Sequence, residues 1–194
     1  MFELNAKGGW VVPARTKIPD ETVIPDFSEI GDGCTLGYGC TLGDGCKLGN
    51  DCKLGYGCTL GNGCTLGYGC TLGNYCKLGD GCKLGYGCTL GNFCKLGDRC
   101  KLGDDCTLGD CCTLGNGCTL GENTSWLNTT VKSWLTIANV DGSGRQIKIV
   151  KSTENQIRIE AGCFLGTLEE FLAKAKGEDK LRYVSIIGAI AEHI

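Results

Sequence analysis

The chain has 194 residues, with 33 Gly, 17 Cys, 3 Pro and one His, and a formal net charge of -3. That length suits one large domain, or a medium one plus a small one, with enough chain to bury a core. Nineteen basic against 22 acidic side chains argue against a nucleic-acid or anionic-lipid partner, no apolar run is long enough to span a membrane, and one His excludes mechanisms that need several imidazoles. The opening stretch, Met1 to Lys17, lacks the basic and apolar regions of a signal peptide, so a cytoplasmic location with reduced thiols is expected.

Residues 1–11 read as a lead-in. From 12 to 126 the chain keeps a beat of six, Leu-Gly-x-Gly-Cys-(Thr/Lys), as in Leu36-Gly37-Tyr38-Gly39-Cys40-Thr41. Fifteen cysteines keep that beat: Cys34, Cys40, Cys46, Cys52, Cys58, Cys64, Cys70, Cys76, Cys82, Cys88, Cys94, Cys100, Cys106, Cys112 and Cys118. Only Cys111 and Cys163 lie off it. Upstream, Val12-Pro13, Ile18-Pro19 and Ile24-Pro25 take the Leu-Gly slots, while Thr16, Thr22 and Ser28 take the Cys slot; downstream, Thr124 and Trp126 take the Cys and Leu slots.

Glycine at this frequency excludes a helix, at about 1 kcal/mol each relative to Ala. Cys-Thr-Leu alternates small-in, polar-out, apolar-in, as a short strand does, and Gly-x-Gly supplies the positive φ of a tight corner. Strand and corner in strict alternation predict a solenoid. The hexads resemble the left-handed parallel β-helix of the hexapeptide-repeat superfamily, in which three hexads make a triangular coil of 18 residues. About six coils of roughly 4.8 Å each follow, a prism near 30 Å long. That register stacks Tyr38 on Tyr56, Tyr68 on Tyr86 and Tyr75 on Phe93, the candidate interaction surface; it also stacks Lys77 on Lys95, Lys83 on Lys101 and Asp80 on Asp98.

For the in-phase cysteines, the interior thiol ladder, three readings are open. Thr and Ser in the same slot favour a demand for small volume. Disulfides between coils would need Cβ atoms closer than parallel strands place them. Metal sites need converging thiolates, which a C-x5-C spacing on three walls does not supply, so no metal or cofactor is expected; chance uptake of soft ions such as Cu(I) is the remote alternative. Cys111 shares a corner column with Tyr75 and Phe93 and is read as an outward thiol.

Enzymes of this resemblance use a His as general base, or three His around zinc, and residues 12–126 contain none. Asp32, Asp44, Asp80, Asp98, Asp104 and Asp110 share a slot with Asn50, Asn62 and Asn116, which indicates corner chemistry and not catalysis. No catalytic residues are assigned. An acyltransferase-like enzyme is a remote alternative. One outward residue per strand, with Lys interrupting Thr, is a poor match to ice.

Residues 127–194 read as a small β-β-β-α-α module: Ser133–Val140 and Arg145–Lys151 as a hairpin about Asp141–Gly144, then Gln156–Ala161. Thr167-Leu168-Glu169-Glu170 is a capping box opening a helix to about Lys176, with Gly177 as its stop, and a second helix spans roughly Asp179–Glu192. The string from Ala161 to Phe171 resembles a tail of uncharacterised bacterial and phage-encoded proteins, which implies a phage or prophage origin. Cys163 is read as a packing residue. The fold class expected is mainly β, a left-handed parallel β-helix followed by a small α/β module of three strands and two helices. The function expected is a non-catalytic structural or protein-interaction scaffold, for which the resemblance implies a homotrimer. The alternative is a small-ligand-binding or sequestering protein using clefts between subunits.

Overall fold

The computed structural model describes residues 2–126, 129–138, 146–161, 164–177 and 187, and the chain divides into two compact units, Met1–Thr124 and Ser125–Ile194. The first unit is a three-walled β-solenoid of about six turns. Its strands are only two residues long, an outward Thr or Lys followed by a buried Leu, because a corner follows immediately. Stacked parallel strands are 18 residues apart, as in Lys77 beside Lys95 and Leu78 beside Leu96.

The first wall runs through Trp10–Val12, Glu29–Ile30, Lys47–Leu48, Thr65–Leu66, Lys83–Leu84 and Lys101–Leu102. The second contains Lys17–Ile18, Thr35–Leu36, Lys53–Leu54, Thr71–Leu72, Thr89–Leu90 and Thr107–Leu108. The third contains Val23–Ile24, Thr41–Leu42, Thr59–Leu60, Lys77–Leu78, Lys95–Leu96 and Thr113–Leu114. At the N-terminal end, Glu3–Leu4 turns back antiparallel onto Trp10–Val12.

Three backbone hydrogen bonds recur in most hexads. Lys53 N–H donates to Cys34 C=O at 2.9 Å, Gly55 N–H to Leu36 C=O at 2.9 Å, and Gly57 N–H to Asn74 C=O at 2.9 Å. Corners therefore satisfy their own polar groups, coil on coil, which lets a chain without long strands stay ordered.

Two glycine slots serve different needs. The residue before each Cys slot has positive φ in all 19 hexads from Arg15 to Asn123, and at ten of these corners it is not glycine; Tyr75 (φ 62) and Cys111 (φ 57) are examples. The glycine after each Leu has ordinary φ but no room. A Cβ on Gly85 would lie 2.7 Å from the Gly67 carbonyl oxygen and 2.8 Å from its carbon, in the coil beneath.

The second unit is an antiparallel meander of Ser125–Trp126, Thr129–Ala138, Gln146–Ser152, Ile157–Ala161 and Phe164–Thr167, closed by the helix Leu168–Gly177. The hairpin, third strand and helix lie close to their expected positions. Phe164–Thr167 is a further strand that four residues of mixed character did not announce. The capping box forms: Glu170 N–H donates to Thr167 Oγ1 at 3.2 Å, and Thr167 N–H to Glu170 Oε2 at 2.8 Å. Ile147, Ile149, Ile159, Phe171, Ala175 and Ile187 form the core. Ile187 is helical, but the rest of the expected second helix, the Asp141–Gly144 turn and Cys163 lie outside the described residues.

The two slots predict opposite outcomes for one substitution. Gly85→Ala must push the coil beneath aside and is expected to lower stability by about 2–3 kcal/mol, in the range of overpacking. Gly87→Ala meets nothing within 4 Å but has φ +65, so it should cost only about 1–2 kcal/mol. Urea unfolding of the two variants measures the difference.

Candidate functional site

Four of the six candidate aromatic residues converge on one edge. Tyr38 and Tyr56 occupy the first exposed slot of the corner between the second and third walls, and Tyr75 and Phe93 occupy the next slot of the same corner in later coils. The Tyr75 and Phe93 rings stack at 4.8 Å between centroids, 12° apart in plane. The Tyr56 ring meets Tyr75 at 5.1 Å, tilted by 44°. An 18-residue register alone separates Tyr38/Tyr56 from Tyr75/Phe93; the extra one-residue step between corner slots brings Tyr56 onto Tyr75, whereas Tyr38 shares the edge but makes no ring contact with Tyr56, contrary to the expected stack.

All four remain 44–58% exposed. Glu21, and then Asp20, raise the phenol of Tyr38 above its ordinary range from beneath. Tyr68 and Tyr86 lie on a different edge, between the first and second walls, and no ring contact joins them. A hydrogen bond to Asp105 raises the Tyr86 phenol. Cys111 follows Phe93 on the aromatic edge and is half-buried.

The fifteen in-phase cysteines are thiols and are all buried. Volume is only part of their role. Each Sγ–H donates to the carbonyl of the corner residue 21 positions earlier, as Cys70 does to Gly49 at 3.2 Å and Cys40 to Pro19 at 3.1 Å. Where the slot holds a hydroxyl it donates instead to its own corner carbonyl three residues earlier, Thr16, Thr22 and Ser28 at 2.6–2.7 Å and Thr124 at 2.8 Å. The slot selects a small donor. The Ser and Thr that share it were the signal.

Asp and Asn have an equally local task. Asp80 Oδ1 accepts Asp98 N–H at 2.8 Å, and Asn62 Oδ1 accepts Asp80 N–H at 2.8 Å. Either residue supplies that oxygen, which explains their interchange. Lys47 reaches Glu29 at 3.4 Å, but both side chains are more than half exposed and the pair contributes little.

One constellation escaped sequence reasoning. In the second unit Lys148 lies directly across from Glu160, and Nζ donates to Oε1 at 2.7 Å with both residues buried. The Trp126 ring lies 5.8 Å from that Nζ and meets Trp134 edge-on at 5.6 Å. Lys148 alternates with Ile147 and Ile149 and takes the sheet face away from the helix. Such a pair offsets its desolvation poorly but penalises any register other than its own. Among the described residues, no group of three or more His, Cys, Asp or Glu is placed to hold a metal ion, and no helix is long and apolar enough to cross a membrane.

Residues 39–74 and 57–92 match the family model described as bacterial transferase hexapeptide (six repeats). Comparison with curated proteins and with solved structures finds no match. Together with the coil geometry, the match identifies the first unit as a hexapeptide-repeat β-helix.

Burial raises the thiols of Cys34 and Cys40 above their ordinary range. Deeper in the columns, hydrogen bonding with Cys100 pushes Cys82 up to about 11, and with Cys106 pushes Cys88 up to about 11. The same sharing raises Cys76 through Cys58 and lowers Cys94 through Cys112, so a column holds its protons as a set and burial opposes net charge within it. Unfolded thiols ionise near about pH 8.5, whereas the raised ones stay neutral in the fold. The stability each raised thiol contributes is present below that pH and is lost as pH rises; the lowered thiols, Cys58, Cys94, Cys100 and Cys106, act in the opposite sense but are fewer. In reductant, the urea midpoint is expected to hold steady to about pH 8 and fall steeply beyond about pH 9.

Proposed function

We propose that this protein is a non-catalytic scaffold whose solenoids associate with one another through the aromatic edge of Tyr38, Tyr56, Tyr75 and Phe93. The stripe itself carries the reading. Elsewhere its two corner slots hold mostly Asn, Asp and Gly, which supply the corner's hydrogen bond and its positive φ at no cost. Tyr56 forgoes the amide-accepting oxygen of an Asn or Asp, and Tyr75 and Phe93 carry left-handed strain of about 1–2 kcal/mol each. Stacking returns about 0.5–1.5 kcal/mol per pair, which does not clearly exceed that loss. Exposed aromatic rows that cost the monomer stability fit a surface that is covered in use. Hexapeptide-repeat proteins often form trimers, which makes a trimer the assembly to expect.

The non-catalytic part of the reading is supported by the tasks of the corner side chains. The corner Asp and Asn oxygens hold backbone amides and the in-phase thiols hold carbonyls inside the prism, so each has a structural task and those thiols are buried.

The repeat supplies its own replacements. Tyr38→Asn, Tyr56→Asn, Tyr75→Gly and Phe93→Gly each install a residue used at the same slot elsewhere, so folding should persist. Sedimentation equilibrium should show the wild type as an oligomer and the fourfold variant at the 20.5 kDa of one chain. Tyr68→Asn with Tyr86→Asn should leave the oligomer intact. An unchanged mass for the fourfold variant would remove the edge from the assembly.

A further inference from the structure

All three prolines of the chain, Pro13, Pro19 and Pro25, stand in one coil and in one slot, the position after the buried aliphatic residue. In every later hexad from Gly31 to Gly121 that slot is glycine. Wherever a coil lies beneath, the slot tolerates no side chain: a Cβ on Gly31 would lie 2.6 Å from Ala14 N, and one on Gly55 would lie 2.7 Å from Gly37 C and Tyr38 N. The slot's N–H is also the donor that binds a coil to the one below, as Gly31 N–H binds Val12 C=O at 2.9 Å. Proline fills the forbidden volume and deletes the donor.

The hydroxyls of Thr16, Thr22 and Ser28 bond back to Pro13, Pro19 and Pro25 at 2.6–2.7 Å, as Thr124 does to Gly121 at 2.8 Å in the last hexad, so these side chains add nothing to the barrier. The Glu3–Leu4 strand covers the first wall, and Asn5 Nδ2 and Trp10 N–H bind Phe27 C=O and Ser28 Oγ, each at 2.8 Å. Among the described residues no strand pairs with the outer side of Lys17–Ile18 or Val23–Ile24. An unpaired parallel strand end of this kind invites a second chain.

We infer that the three prolines are a stop that closes the N-terminal end of the solenoid to stacking by a second copy of this chain. The stop is steric first, because any Cβ in the slot collides with an incoming corner, and the missing donor reinforces it. It acts at the end of the prism and is independent of the aromatic edge along its side.

Two triple variants of the full chain separate the terms. P13G/P19G/P25G opens the end; P13A/P19A/P25A restores the donor but keeps the Cβ. Sedimentation velocity over a tenfold concentration range should show the Gly variant rising to at least twice the wild-type mass, with the Ala variant at wild-type mass throughout. A folded Gly variant that keeps the wild-type mass overturns the inference, and so does an Ala variant that associates equally. If the triple Gly variant does not fold, P19G alone, on the edge remote from the hairpin, decides it. Rising mass supports the stop and constant mass refutes it.

Discussion

The close approach of one coil to the next at the corners governs the rest of this structure. A carbonyl of the lower coil and the glycine above it come so near that no Cβ fits between them, and the hydrogen bonds that pass there replace those a longer strand would make. From this follow the two-residue strands, the glycine slot kept from Gly31 to Gly121 and the 18-residue register. A chain poor in large apolar residues holds a continuous core because each coil closes the polar groups of its neighbour.

Side chains that resemble functional groups are absorbed by the same requirement. The interior thiols meet corner carbonyls, and the Asp and Asn oxygens meet corner amides. Seventeen cysteines and 22 acidic side chains suggest redox, metal or acid–base chemistry when counted, but the in-phase thiols and most corner Asp have a partner one coil away. What the corners do not explain is the row from Tyr38 to Phe93, where hydrogen bonds and relaxed φ give way to stacked rings. The proposed assembly surface is that row, because there the repeat breaks its own rule.

Much of this was legible in the residues because a strict period leaves few geometries open. The solenoid, the register of Lys77 on Lys95 and the capping box at Thr167 could all be read directly. The donor role of the cysteines could not, since it needs the distance between a sulfur and a carbonyl 21 residues away. The single edge uniting Tyr56 and Tyr75 was hidden for a related reason. A period of 18 compares like slots, while two rings in neighbouring slots meet at a spacing of 19. The Lys148–Glu160 pair lay deeper still, because an alternating charged residue on a hairpin reads as solvent-facing until its burial is seen.

The number of thiols that a water-soluble disulfide reagent modifies in the native protein tests the coil geometry most directly. At neutral pH in the absence of denaturant, the fifteen in-phase cysteines should be silent, so that no more than two of the 17 thiols react, and all 17 should react once the chain is unfolded. Rapid native modification of several in-phase thiols, or their absence after unfolding because they are already bridged, would contradict a prism lined by leucine and reduced sulfur.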